Sequence, residues 1–174
     1  MFGYHMEDDP ALVSHRLSRE ETVLAVPEPM AAECLSSEEI RGFKEEGIVS
    51  LRPFSGCPFV RMDADTWMGE QFDRYCREDG FDPKIFVISQ SVLTVLECCA
   101  EGIGATLVPA GYLDHLTAEQ RRGMVFFRWR YPDVTLLGAV LHLKSSYITK
   151  AAMDFVKCSQ KICGEEESLW NGFF

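Results

Sequence analysis

No two cysteines of this chain form a CxxC pair, and none of its four histidines repeats at the i, i+4 step of a helical metal pair. The sequence therefore offers no metal ligand set. GxSxG, P-loop and HExxH patterns are absent too, which removes the serine elbow, the phosphate-cradling loop and the zinc-protease pair. No run is long and apolar enough to span a bilayer. The opening residues, MFGYHMEDDP, lack the basic start and apolar core of a secretion signal. A cytoplasmic location with no membrane partner is the expectation. Basic residues are few: 17 Lys and Arg stand against 27 Asp and Glu, a net charge of −10. Arg121-Arg122 and Arg128-Trp129-Arg130 are the basic clusters, and a solvated face suits them better than a phosphate grip. Ser91 has no histidine base near it in sequence. Neither a catalytic residue nor a cofactor is expected, and the chain is not read as an enzyme.

Seven cysteines are present, an odd number: Cys34, Cys57, Cys76, Cys98, Cys99, Cys158 and Cys163. They read as reduced thiols, buried or on the surface. A redox sensor would need an exposed thiol of low pKa and a resolving partner, which spacing does not display.

The stretch Phe86–Tyr112 organises the rest. Phe86, Val87 and Ile88 form a short strand expected to be buried. Ser89, Gln90 and Ser91 follow as a polar helix start. Val92, Val95, Leu96, Cys99 and Ile103 recur at three- and four-residue steps, one apolar helix face. Gly102 and Gly104 bracket the helix end, where positive φ is wanted. Ala105–Val108 is a second apolar strand, stopped by Pro109. This is a βαβ unit with parallel strands and a right-handed crossover. Pro58–Met62, then Asp63-Ala64-Asp65-Thr66, then a helix to Glu78 capped by Gly80, repeats the same corner.

Elsewhere, strands are expected at Phe2–Met6, Ala11–Leu17, Thr22–Val26, Val125–Tyr131 and Thr135–Leu143. A turn at Glu7–Pro10 and a break at Ser18-Arg19-Glu20 separate the early ones. Pro27-Glu28-Pro29 reads as a stiff extended connection. Ser36 or Ser37 caps a helix that Gly47 ends, and a short helix lies between Asp114 and Arg122. The last helix starts at Ser145 or Ser146, packs through Ile148, Ala151, Ala152, Phe155, Ser159 and Ile162, and stops at Gly164. Residues 164–174 form a frayed tail.

Four phrases in this order carry a resemblance: ETVLAVPEP, the pair PFVRM and GFDPKIFVIS, SQSVLTVLECCAEGIGATLVPAGYL, and TLLGAVLHLKSS leading into an amphipathic helix. The chain resembles the effector-binding region of LysR-type transcriptional regulators over about Gly3 to Cys163. The resemblance implies an α/β, periplasmic-binding-protein-like (type 2) two-lobed sensor. Residues 1–27 and 136–163 would be a partial lobe one, 28–135 a complete lobe two, and Leu24–Pro29 and Val134–Ala139 the crossing strands. It also implies an N-terminal truncation: the first two β-α units and the helix-turn-helix have no counterpart, so DNA would be reached only through a region not present here. The implied partners are a small-molecule effector and a second copy in a homo-oligomer. The helix Asp65–Glu78 and strand Ile85–Ile88 are not expected to make that interface.

The implied cleft would be lined by Asp65 and Thr66 at one helix start, by Ser89, Gln90 and Ser91 at the other, and by Pro109. Free N–H groups at such ends suit a carboxylate. Capping explains Thr66 and Ser91 equally well, since cap and ligand use the same atoms, and a strand stop suffices for Pro109. Asp63 and Asp65 would repel an anion. The alternative is a stand-alone small-molecule-binding protein or enzyme on the same lobe, which would need a poised acid or base.

Overall fold

The computed structural model describes residues 2–4, 10–130 and 136–166. The first half runs β1 (Phe2–Tyr4), β2 (Leu12–Glu20), β3 (Thr22–Pro27), α1 (Glu28–Cys34), α2 (Ser37–Glu46), β4 (Pro58–Met62) and α3 (Trp67–Asp79). The second runs β5 (Lys84–Ser89), α4 (Val92–Ala100), β6 (Thr106–Pro109), α5 (Ala118–Arg122), β7 (Met124–Arg128), β8 (Leu136–Leu143) and α6 (Lys150–Glu166). Among the described residues these fall in two compact units, one of Met1–Glu21 with Thr135–Phe173, the other built on Thr22–Val134.

The first unit is an antiparallel sheet of order β1-β8-β2. Ser18-Arg19-Glu20, expected to be a break, continues β2. A register shift between Arg16 and Ser18 absorbs the irregularity while pairing to β8 persists to Glu20. Helix α6 lies on β2, buries Val156 and donates from Gln160 Nε2 to Arg16 O at 3.0 Å. Its packed face is not the expected one. Phe155 and Ile162 are exposed, and the helix runs on through Gly164. Residues 5–9, 131–135 and 167–174, where part of the first turn, a strand end and the tail were expected, lie outside the described residues.

The second unit is a mixed sheet under helices. β3 pairs antiparallel with both β6 and β7, and all six of its residues are buried. Read from sequence as part of lobe one, β3 is instead the hydrogen-bonded middle strand here, because every residue of TVLAVP is apolar or small enough to bury on both faces. β4 and β5 pair in parallel. Val60 N–H donates to Ala105 O at 2.9 Å, and Ala105 N–H to Pro58 O at 2.8 Å. Those bonds join β4 to the residue before β6, giving the order β5-β4-β6-β3-β7. The two strands flanking α4 are thus parallel with β4 between them.

Phe59 sits at the centre, in ring contact with Phe72 (5.7 Å) and Phe81 (5.6 Å), and no part of it is accessible. Helix α3 closes this core with Met68, Phe72, Tyr75 and Cys76. Three expectations change. Pro27-Glu28-Pro29 is the start of α1, not an extended link, because a proline in the first helical turn sacrifices no hydrogen bond. Phe86 and Ile88 are 66% and 53% exposed, because β5 is an edge strand paired only with β4 among the described residues. Of Gly102 and Gly104 it is Gly102 that takes positive φ, at 79°, while Gly104 lets β6 approach β4, since a Cβ there would lie 2.7 Å from Pro58 O.

Candidate functional site

β4 and β5 end side by side, with Met62 opposite Ser89. One hydrogen bond, Asp63 N–H to Ser89 O at 2.9 Å, ties the two corners together. At the first corner Asp63 folds the chain back. Its Oδ1 accepts from Asp65 N–H at 3.0 Å, and its carbonyl accepts from Thr66 N–H at 2.9 Å and from Thr66 Oγ1 at 2.6 Å. Thr66 then caps α3, its Oγ1 accepting from Gly69 N–H at 3.1 Å. The turn and the helix touch here: a Cβ on Gly69 would lie 1.9 Å from Asp63 O.

The second corner is built alike. Ser91 N–H donates to Ser89 Oγ at 3.1 Å, and Ser91 Oγ accepts from Thr94 N–H at 3.3 Å. Gln90 and Ser91 are exposed and Ser89 is half-buried. In each helix the two N–H groups after the cap, Trp67 and Met68 in α3 and Val92 and Leu93 in α4, have no acceptor among the described residues. Such groups, with the positive ends of two helix dipoles, favour negative charge nearby. The carboxylates of Asp63 and Asp65 stand in the same corner and oppose it.

The sheet brings more residues to this edge. Pro109 ends β6 and pairs with Thr22, the first residue of the antiparallel β3. Trp129 N–H, just past the end of β7, donates to Thr22 O at 3.0 Å. All six expected site residues therefore stand on one edge, at the ends of β4, β5 and β6. Asp65, Gln90 and Ser91 are exposed, Thr66 and Ser89 half-buried, and Pro109 buried. Thr22 and Arg128 share the edge and were not singled out from sequence. Thr22 is 1% exposed, and its hydroxyl has no partner among the described residues. Its place became visible only once β3 was seen to run antiparallel. Among the described residues no group of three or more His, Cys, Asp or Glu could hold a metal ion.

A mixed α/β sheet with capped helix starts gathered on one edge is the architecture of periplasmic-binding-protein-like (type 2) domains. The chain belongs to the LysR substrate binding domain family, whose sequence profile matches residues 1–163. The Synechocystis PCC6803 CcmR regulatory domain in complex with 2-PG is similar in fold, with TM-score 0.69 and 10% identity over 93% of this chain and 72% of that one. The effector binding domain of QuiR in complex with shikimate gives TM-score 0.64 and 15% identity over 92% and 69%. HinK, a LysR family transcriptional regulator from Pseudomonas aeruginosa, gives 0.63 and 21% over 94% and 52%. The chain thus spans about half the length of the HinK chain. No curated protein matches the sequence. The family is one of transcriptional regulators, and no helix among the described residues is long and apolar enough to cross a membrane.

Proposed function

We propose that this chain is the effector-sensing part of a LysR-type transcription regulator, and that its effector binds at the edge where β4 and β5 end. The observation that carries the reading is the single hydrogen bond from Asp63 to Ser89, which fixes two capped helix starts side by side. Four unpaired N–H groups favour an anion, and two aspartates favour hydrogen-bond donors. A small carboxylate that also bears hydroxyls meets both demands. Shikimate, bound by one of the neighbours, has that chemistry. In this reading residues 22–134 make lobe two and residues 1–21 with 135–163 belong to lobe one. DNA is reached through a helix-turn-helix region carried outside these 174 residues. The chain works in the cytoplasm and catalyses no reaction.

Self-association is part of the proposal, at a place the sequence argued against. The outer edge of β5 offers backbone groups with no strand partner among the described residues, and Phe86 and Ile88 are exposed beside it. A groove of about 450 Å³ adjoins it, lined by Phe72, Phe81, Pro83 and Ile85 with Arg77 and Asp82 of opposite charge. An exposed apolar edge strand invites a second strand.

Val92→Pro tests the site. Proline is tolerated at the first helical position, and Ser91, with φ −109° and ψ 120°, already has the backbone that precedes a proline. The substitution deletes one N–H and leaves the helix. A hydrogen bond to a charged group is worth ~1.5–3 kcal/mol, so small carboxylates should bind roughly 10–100-fold more weakly by calorimetry. Equal affinity in both proteins would remove the site from this edge.

A further inference from the structure

We propose that Cys34 and Cys57 are a dithiol that a hydroperoxide closes into an intrachain disulfide, a covalent modification site within the second unit. Their sulfurs are 2.9 Å apart, although 23 positions separate them in the chain. Cys34 is the last residue of α1, and Cys57 immediately precedes β4. Gly56 makes room for the pair: a Cβ there would lie 3.3 Å from Cys34 Sγ. A disulfide bond is about 2.05 Å long, so closure asks for less than an ångström of approach.

The two thiols differ in access. Cys57 is 2% exposed, whereas Cys34 is half-buried at a helix end. The oxidant therefore meets Cys34 first. The Cys34 thiolate attacks one peroxide oxygen, the O–O bond breaks, and Cys34 becomes a sulfenic acid as an alcohol leaves, or water when the oxidant is hydrogen peroxide. The Cys57 sulfur then attacks Cys34 Sγ. Its proton departs with the sulfenic hydroxyl as water, and the S–S bond forms. Two thiols and one hydroperoxide give one disulfide, one alcohol and one water. Burial, helped by the hydrogen bond with Cys34, pushes the Cys57 thiol well above its ordinary pKa. The reaction is accordingly slow, since the thiolate is the nucleophile. The product ties the end of α1 to the start of β4, the strand whose other end carries Asp63 and Thr66.

The test uses the whole reduced chain, treated with hydrogen peroxide at neutral pH, alkylated and digested. Mass spectrometry should find the Cys34 and Cys57 peptides joined and lighter by two hydrogens. The melting temperature should rise by roughly 5–10 °C, as expected for a loop of this length, and fall back with dithiothreitol. Cys34→Ser should abolish both effects. Recovery of Cys34 and Cys57 as separate alkylated thiols, under conditions that oxidise the exposed Cys158, overturns the proposal. So does a dominant link from either residue to another cysteine. The peptide map of the unmodified sequence decides alone, whatever the stability of the variant.

Discussion

Gly69→Ala probes the first corner most directly. Alanine is normally the better helix residue, by ~1 kcal/mol in a helix interior. Here the added methyl carbon would sit 1.9 Å from Asp63 O, 2.5 Å from Asp63 C and 2.8 Å from Met62 O. All three are backbone atoms, so no side chain can swing aside. Ordinary contact begins at 3.4 Å, and the turn must move by about 1.5 Å to restore it. That movement pulls Asp63 O away from Thr66 N–H and Thr66 Oγ1, now at 2.9 and 2.6 Å. Two lost hydrogen bonds cost ~1–3 kcal/mol, with residual strain of similar size. Against the propensity gain, the net loss is ~2 kcal/mol, a fall of roughly 4–8 °C in melting temperature. Gly42→Ala in α2 is the control, because nothing lies within 4 Å of its Cβ. It should gain ~0.5–1 kcal/mol. Urea denaturation of both variants at one pH measures the difference. A Gly69→Ala protein as stable as Gly42→Ala would refute the packing of the turn against α3.

Phe59→Ala should cost ~3–5 kcal/mol in urea denaturation, while Phe86→Ala should stay within ~0.5 kcal/mol, and similar losses would deny that β5 is an edge. Phe86→Lys should shift the protein to a smaller species in sedimentation without lowering its melting temperature, and an unchanged oligomer would place the interface elsewhere. Burial, with Asp73 nearby, pushes the Cys76 thiol from 9.0 up to about 12. The folded chain then keeps a proton that the unfolded chain releases, so stability present below the unfolded value is lost as pH climbs from 9.0 to about 12. The alkaline slope should flatten by up to ~1.4 kcal/mol per pH unit in Cys76→Ala, and an identical slope would contradict the burial argument.

What the sequence disclosed was local chemistry. Ser36 with Glu39 forms a full capping box, PFVRM is β4 to the residue, and Thr66, Ser91 and Gly80 cap the helices they were expected to cap. The two strand-to-helix corners were legible for the same reason, since a cap is a short-range pattern. Partner number is not. The apolar run at Phe86–Ile88 looks the same in sequence whether a strand has one neighbour or two. In α6 the spacing of Ile148, Phe155 and Ile162 suggested a stripe, but Val156, one position along, is what β2 covers. Proline signals were ambiguous at Pro27-Glu28-Pro29, where an extended link and a first helical turn are both compatible with fixed φ. Gly69 gave no signal, because its contact is with a turn six residues earlier.

The middle strand of the five has a cost in time. Both partners of Thr22–Pro27 are made late, at residues 106–109 and 124–128. A ribosome adding ~5–20 residues per second leaves TVLAVP without either for roughly 4–16 s. During that interval a strand whose six residues are all buried once folding ends is a sticky ribbon awaiting its neighbours. Nascent chains stalled before Pro109 should therefore be the ones that chaperones hold longest.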